Sequence, residues 1–249
     1  MKILLHCCCA PCALSCVSSL RAQGIESELF WFNPNIHPCV EYNARLECLR
    51  EFAANEKLNL RLIDEYGLRL FLKEVYGKID ETGSVPERCE RCYSLRLEKT
   101  ASVAAAQGFA AFSTSLLISP YQNHDALKRI GEEMAAKHGV DFYYTDFRPL
   151  FRESRTAARE MGLYMQKYCG CIFSEEERYA RKSVMRRRAL CEEERYVKKS
   201  LTQRRGGAEI TEEREMGFLD KNLSQRRGGA EITEEREMGF LDKSLSQRR

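Results

Sequence analysis

Residues 1–12 read MKILLHCCCAPC, and their pattern predicts the first two elements of the fold. Lys2–His6 is a short apolar run, which is typical of a buried strand. Ala10-Pro11-Cys12 is typical of a helix start. Proline is common in the first helical turn, because the N–H that it lacks would be unpaired there anyway. The stretch therefore predicts a strand that passes directly into a helix, with cysteines at the junction.

The same alternation continues along the chain. Predicted strands are Lys2–His6, Glu28–Asn33, Leu58–Ile63, Ala110–Leu117 and Asp141–Asp146, and predicted helices cover residues 10–23, 40–57, 67–75, 89–107, 125–138, 152–161 and 175–199, with a loop at 77–87. Alternating strands and helices indicate an α/β protein with a parallel sheet and helices on both faces, followed by C-terminal helices. Ligands of such sheets bind beyond the carboxyl ends of the strands, where the cysteines at 7–12 fall.

The last fifty residues are a tandem repeat. LTQRRGGAEITEEREMGFLDKN at 201–222 is followed by LSQRRGGAEITEEREMGFLDKS at 223–244. Each copy has few large apolar residues and is interrupted by Gly-Gly, so it lacks the buried stripe of a solenoid repeat. We therefore predict an α/β domain at 1–199 and an appended, largely disordered repeat tail at 200–249; an auxiliary RNA-binding arm is the alternative for the tail.

The composition is that of a globular protein with many cysteines. The 249 residues are 43% hydrophobic and 31% charged, and 12 of them are cysteines. No apolar run approaches the roughly 20 residues of a membrane span, and the N-terminal one is too short for a signal peptide, so we expect no membrane partner and a cytoplasmic location. In that reducing compartment, clustered cysteines indicate metal, iron–sulfur or redox chemistry. Residues 145–199 carry a net charge of +5, which suits a polyanionic partner.

Two paired-cysteine motifs predict a metal centre. Cys89 and Cys92 are three residues apart at a helix start, so both sulfurs can lie on one face, and Cys8 and Cys9 follow the first strand. Adjacent thiolates fit poorly into one zinc tetrahedron but can bind different irons of a cluster. The motifs therefore favour an iron–sulfur cluster over zinc.

A third motif, Cys169-Gly170-Cys171, is of a different kind. A bridge between residues i and i+2 closes a small ring, and Gly170 lets the backbone bend enough to bring the two sulfurs together. Such a strained disulfide is easily reduced, which suits an electron relay. We interpret the two cysteines as a redox-active pair; the alternative is a pair of metal ligands.

Short motifs follow one another along the chain in a characteristic order. They are HCCCAPC at 6–12, NPNI at 33–36, EY at 41–42 with Arg45, RC at 88–89, CY at 92–93, FSTSLLISPYQ at 112–122, DFR at 146–148 and YCGC at 168–171. Together these motifs strongly resemble the QueH family of epoxyqueuosine reductases, over about residues 2–180.

The resemblance implies a Rossmann-like α/β domain and the last step of queuosine synthesis in tRNA. In that step the epoxide of epoxyqueuosine, at the wobble position of a queuosine-type anticodon, is reduced to the cyclopentene of queuosine with electrons from an external donor. It implies that Cys8, Cys9, Cys89 and Cys92 bind a [4Fe–4S] cluster and that Cys169 and Cys171 form the redox-active disulfide pair.

Other side chains are candidates for the remaining roles. Cys12 is the candidate ligand of an additional iron, and Asp146 could bind that metal or relay a proton, with a helix N-cap as the alternative. The tyrosines that could stack on the modified base or donate a proton are Tyr42, Tyr93 and Tyr121, although such tyrosines are more often semi-buried structural residues. Arg148 and the arginines after it are expected to contact anticodon phosphates.

Two other functions fit the cysteine motifs. One is an iron–sulfur thiol or disulfide reductase that acts on a substrate other than RNA. The other is a zinc-stabilised RNA-binding module without catalysis. Dependence on tRNA distinguishes the first from an epoxyqueuosine reductase, and the brown colour of an iron–sulfur protein distinguishes the second.

Overall fold

The structure, a computed structural model, describes residues 1–76, 85–180, 183 and 192. The regular elements are β1 (Lys2–His6), α1 (Ala10–Ala22), β2 (Glu26–Trp31), α2 (Cys39–Asn55), β3 (Leu60–Leu62), α3 (Leu68–Tyr76), α4 (Val85–Ala106), β4 (Ala111–Thr114), α5 (His124–His138), β5 (Asp141–Phe142) and α6 (Phe151–Glu160). Short 3-10 helices follow β4 and precede α6, and residues 172–180 are helical. The predicted alternation of strands and helices is confirmed.

The five strands form one parallel sheet in the order β3-β2-β1-β4-β5. The chain builds outward from β1 to β3, then crosses back to β4 on the other side of β1, so the strand order reverses between β1 and β4. A crevice opens at such a reversal, beyond the carboxyl ends of the strands. His6 pairs with Thr114 in the register of β1 and β4, so the chain segments after these two residues leave the sheet side by side.

Helices cover both faces of the sheet, as predicted. Helix α1 packs against α2 and α6, whereas α4 packs against α3 and α5. Because parallel crossover connections are right-handed, the outward connections and the return connection lie on opposite faces. The core between these layers contains fully buried Trp31, Phe30, Phe112 and Leu4.

The structure differs from the predicted boundaries in two informative places. The predicted strand Ala110–Leu117 ends at Thr114, because the Thr114 hydroxyl accepts a hydrogen bond from the Leu116 N–H (3.2 Å) and a 3-10 helix begins there. Helix α4 begins at Val85 rather than at Cys89, and Glu87 in its first turn complements the positive end of the helix dipole.

Several predicted segments lie outside the described residues. The repeat tail at 200–249 is outside, as are most of the predicted loop at 77–87 and most of the predicted helix at 175–199 beyond residue 180. All five strands belong to one compact unit, Met1–Ser183. Among the described helices, none is long and apolar enough to cross a membrane.

Candidate active site

Three cysteine thiols meet where β1 passes into α1. The Sγ atoms of Cys8, Cys9 and Cys12 all lie within 4.8 Å of one another, and within the described part of the chain no other three His, Cys, Asp or Glu side chains meet as closely. Cys9 is the N-cap of α1, so Cys12 returns over it after one helical turn. The Gln166 amide closes the group, because its Nε2 donates to Cys9 Sγ (3.0 Å) and Cys12 Sγ (3.5 Å).

Within this trio, Cys8 is the cysteine whose pKa is lowered. Hydrogen bonds from the Cys12 and Cys9 thiols lower the pKa of Cys8 well below its usual value, and the positive charges of Arg45 and Arg96 lower it further. Burial raises the pKa of Cys9, and the hydrogen bond with Cys8 raises the pKa of Cys12. The trio thus stabilises one thiolate with two thiols, a soft donor set of the kind that binds iron or zinc.

A cleft of about 590 Å³ opens above the trio, at the reversal of strand order. Cys8, Cys12 and Cys169 line it, together with Ser115 from the segment after β4. Its described lining includes three basic side chains and no acidic one; the basic residues are Arg155, Lys167 and Arg178. The cleft therefore combines sulfur chemistry with a positive wall.

The α4 cysteines form a second set of sulfurs. Cys92 is buried and packs in a small cluster with Cys171, Phe71 and Val75. Burial raises the pKa of Cys92 to about 12 and also raises the pKa of Cys89, so both are thiols at neutral pH. Neither sulfur belongs to the close group formed by the trio.

Arg96 connects the two sets electrostatically. It is fully buried on α4; its Nε donates to the Cys92 carbonyl oxygen (3.1 Å), and its Nη2 has no partner among the described residues. The Arg96 charge contributes to the lowered pKa of Cys8 in the trio, and on α4 it opposes the rise that burial causes in the pKa of Cys92. A buried cation with an unpaired N–H needs an anionic acceptor. Metal-bound thiolates would supply that anionic surrounding, so the arrangement fits an anionic metal–sulfur centre.

The third motif has its two thiols in different surroundings. Cys169 is exposed at the cleft, where Gln122 Nε2 lies 3.9 Å from its Sγ. Cys171 is buried against Cys92 and Phe71. Both are free thiols in this structure. The loop that carries them is therefore seen in its dithiol form.

Comparison with known proteins assigns the chain. The family model described as epoxyqueuosine reductase QueH matches residues 3–177. The chain belongs to the QueH family. It is therefore an oxidoreductase, and the resemblance carried by the sequence motifs is confirmed.

Curated QueH-family relatives match over most of the described residues. The protein named epoxyqueuosine reductase QueH from Dehalococcoides mccartyi is 38% identical over 180 residues, which span 72% of this chain and 96% of that protein. The protein of the same name from Thermotoga maritima is 37% identical over 190 residues (75% and 96%). That from Acinetobacter baylyi is 37% identical over 183 residues (70% and 80%).

The predicted tyrosines of this QueH-family site occupy three different environments. Tyr121 is exposed and lines the cleft. Tyr93 is buried, and its hydroxyl donates to Gln122 Oε1 (2.9 Å), so it supports a side chain that itself lines the cleft. Tyr42 is buried in the core, where its hydroxyl accepts from Trp31 Nε1 (2.9 Å). The predicted contacts of these tyrosines with substrate stay predictions.

Asp146 and Arg148 are paired with each other. The two Asp146 carboxylate oxygens accept from Arg148 Nε (2.8 Å) and Nη2 (2.7 Å), and these hydrogen bonds lower the pKa of Asp146 to about 2. Both side chains are exposed, and neither is among the residues that line the cleft. Their predicted roles in metal binding, proton relay and phosphate contact stay predictions.

Sequence motifs assign no role to several residues that the structure brings to the site. Gln166 lies in an irregular segment and reaches the trio from 154 residues away, so no spacing rule could find it. Arg45 is four residues after Glu41 on α2, a spacing that usually marks a surface ion pair, yet both are buried here. Phe151, at the start of α6, lines the cleft beside Arg155, which is one of the arginines that the sequence predicts to contact phosphates.

Proposed function

We propose that this protein reduces epoxyqueuosine to queuosine in tRNA, with an iron–sulfur cluster and the Cys169–Cys171 pair. The names of the QueH-family relatives support the substrate. The observation that carries the proposal is the cleft, which is lined by Cys8, Cys12 and Cys169 together with basic side chains. A cleft of this kind offers a reducing centre and a binding surface for a polyanion in one place.

The dithiol pair supplies the electrons and protons that the reaction consumes. Removal of the epoxide oxygen as water breaks both C–O bonds of the ring and consumes two electrons and two protons. Oxidation of the Cys169 and Cys171 thiols to a disulfide releases two electrons and two protons. An external donor then returns two electrons, and the solvent two protons, to restore the dithiol in each turnover.

The donor set supports a metal centre beside the pair. Cys8, Cys9, Cys89 and Cys92 would hold a [4Fe–4S] cluster, and Cys12 would serve an additional iron; the buried, unpaired Nη2 of Arg96 supports an anionic group between the two sets of sulfurs. When bound, the cluster supplies single electrons and the additional iron supplies a Lewis acid. The residues that line the cleft would position the substrate beside these groups.

The mouth of the cleft supports recognition of a splayed nucleotide. The rings of Tyr121 and Phe151 meet edge to face with centroids 5.9 Å apart, and the Arg155 guanidinium lies 5.7 Å from the centre of the Phe151 ring. RNA-binding proteins use aromatic and arginine side chains in this way to stack unpaired bases. The Arg148 guanidinium is engaged by Asp146, so Arg155 is the better candidate for a contact with RNA.

The direct test is mass spectrometry of nucleosides. Anaerobically reconstituted protein is incubated with a chemical reductant and tRNA that contains epoxyqueuosine, and we expect queuosine to form. Reduction of small disulfides without any effect of tRNA would instead indicate a thiol or disulfide reductase. Colourless protein that retains stoichiometric zinc and binds tRNA without turnover would indicate an RNA-binding module.

The salt dependence of binding tests the basic wall. We expect the logarithm of the tRNA affinity to fall linearly with the logarithm of the salt concentration, and Arg155→Ala to reduce the slope by about one. Arg129→Ala is the matched control, because Arg129 lies on α5, is paired with Glu90 and Glu133, and does not line the cleft. Equal slopes for both variants would exclude this wall as the docking surface.

A further inference from the structure

The loop that carries the cysteine pair is held by its backbone carbonyls. Arg45 donates from Nη2 to the Tyr168 carbonyl oxygen (2.9 Å) and from Nη1 to the Cys169 carbonyl oxygen (3.0 Å). The next carbonyl, of Gly170, accepts from the His37 N–H (2.8 Å). Three consecutive carbonyls are thus fixed by α2 and the segment before it, more than 100 residues away in the chain.

Arg45 is itself held rigidly. Its side chain is fully buried, and its Nε and Nη2 both lie 2.7 Å from Glu41 Oε1. The Tyr164 hydroxyl donates to the other oxygen of Glu41. A buried guanidinium is tolerated only when its charge and its donors are compensated, and here one carboxylate and two carbonyls do so. The guanidinium therefore points at the loop in one fixed orientation.

The conformation imposed in this way keeps the two thiols in different surroundings. Cys169 faces the cleft, whereas the Cys171 sulfur accepts from the Ser174 N–H (3.4 Å) and packs against Cys92. A disulfide requires the two sulfurs to come within about 2.05 Å of each other. The contacts seen here therefore belong to the reduced loop, and formation of the bridge has to rearrange them.

We propose that Arg45 is a positioning residue that stabilises the dithiol form of the Cys169–Gly170–Cys171 loop and so raises the midpoint potential of the pair. The inference rests on the proposed redox role of that pair. Stabilisation of the reduced form makes a dithiol–disulfide couple more oxidising, so its disulfide is more easily reduced by an external donor. In each cycle the two thiols lose two electrons and two protons to the substrate, and the donor returns the electrons while solvent returns the protons.

The test measures the midpoint potential rather than turnover alone. Iron-loaded protein is equilibrated anaerobically in dithiothreitol redox buffers, and free thiols are trapped with an alkylating reagent and counted by peptide mass spectrometry. For Arg45→Met we expect the disulfide to be favoured at least tenfold more than in the unaltered protein, a potential more negative by about 30 mV. Arg45→Lys keeps the charge but loses the paired donors, so it should restore part of the shift.

Arg50→Met is the matched control. Arg50 lies on the same helix and pairs with Asp64, and it makes no contact with the loop. We expect its potential to equal that of the unaltered protein. An unchanged potential in folded Arg45→Met, or an equal shift in Arg50→Met, would overturn the proposal.

Two further measurements cover the remaining outcomes. If Arg45→Met does not fold, Tyr164→Phe removes only the hydroxyl that holds Glu41, and we expect a smaller shift in the same direction; no shift would contradict the proposal. If the unaltered protein forms no Cys169–Cys171 disulfide in any buffer, the redox role of the pair fails. The role of Arg45 is then tested by amide hydrogen exchange at residues 168–171, which Arg45→Met should accelerate; unchanged exchange would overturn it.

Discussion

Two cysteine-bearing regions line the cleft, and they are held in different ways. The turn that carries Cys8, Cys9 and Cys12 is fixed by regular structure, because β1 lies at the centre of the sheet and α1 begins at Ala10. The Tyr168–Cys171 loop contains no strand and no helix. It is fixed by Arg45 and by the backbone of His37, which belong to a distant part of the chain.

The two regions should therefore differ in which substitutions disturb them. A turn held by the sheet and by a helix start depends on hydrogen bonds that every residue type can make, so few side chains other than its own cysteines matter. A loop held by a few long-range contacts depends on any side chain among them, here that of Arg45. Substitutions far from the loop should therefore disturb the cysteine pair, whereas those near the turn should leave the trio in place.

The largest effect is expected from the cysteines themselves. Cys8→Ser and Cys89→Ser should each remove most of the bound iron, its broad visible absorption and all measurable queuosine formation, because a hydroxyl is a poor ligand for iron. Iron and sulfide analysis of purified protein provides the measurement. Cys39→Ser is the control, since Cys39 is exposed on α2, and it should keep its iron. Full iron content in Cys89→Ser would show that Cys89 of α4 is not a ligand of the metal centre.

The same contrast explains how much could be predicted from the sequence. Local periodicity, together with proline and glycine at the ends of elements, predicts strands and helices. All five strands and the position of the trio could therefore be predicted from the sequence. The contacts of the loop could not. A Glu–Arg pair such as Glu41 and Arg45 gives the same signal on a surface as in the interior. The hydrogen bond from Trp31 to the Tyr42 hydroxyl likewise has no local signal in the sequence. Local patterns carry no information on which distant residue packs where.

Gly170→Ala should disturb the loop strongly. Gly170 has a φ of +132°, which L-amino acids rarely adopt, and a Cβ would lie 3.2 Å from Arg45 Nη1 and from Ile36 Cγ1. We expect turnover to fall about a hundredfold while bound iron is kept, measured on one preparation; a hundredfold loss corresponds to about 2.7 kcal/mol. Gly24→Ala is the control: its φ is +70° but nothing lies within 4 Å, so it should lower stability by about 1 kcal/mol without affecting turnover. Normal turnover in Gly170→Ala would show that the loop tolerates rearrangement.

Acid should destabilise the fold through His37, which contacts the Tyr168–Cys171 loop. His37 is buried between the rings of Tyr66 and Phe71, and burial lowers its pKa to about 4. The unfolded chain takes up a proton near pH 6.5 and the folded chain only near pH 4, so stability is lost as the pH falls through this window.

His37→Phe should remove the part of this dependence that comes from His37; the buried His6, whose pKa burial also lowers to about 4, keeps its own part in both proteins. Between pH 7 and pH 5 the contribution of His37 is about 2 kcal/mol, so the variant should lose that much less stability in urea titrations at the two pH values. At pH 7 the histidine is neutral in both states, so that measurement isolates any packing cost of the substitution. Equal losses for the variant and the unaltered protein would mean that the His37 ring titrates as freely in the folded state as in the unfolded one.

The smallest effect is expected beside the cysteine turn. Ser154 on α6 is buried; its hydroxyl donates to the Pro11 carbonyl oxygen (2.7 Å) and accepts from the Ser15 N–H (3.3 Å), which ties α6 to the first turns of α1. Ser154→Ala removes both contacts, so we expect a loss of about 1 kcal/mol, or about 2–4 °C in Tm. Because the sheet and the helix start hold the trio, iron content should be unchanged.

Ser18→Ala on the exposed face of α1 is the control, and it should shift stability by less than about 0.5 kcal/mol. Loss of iron from Ser154→Ala would mean that the turn also depends on particular side chains, and the contrast between the two regions would fail.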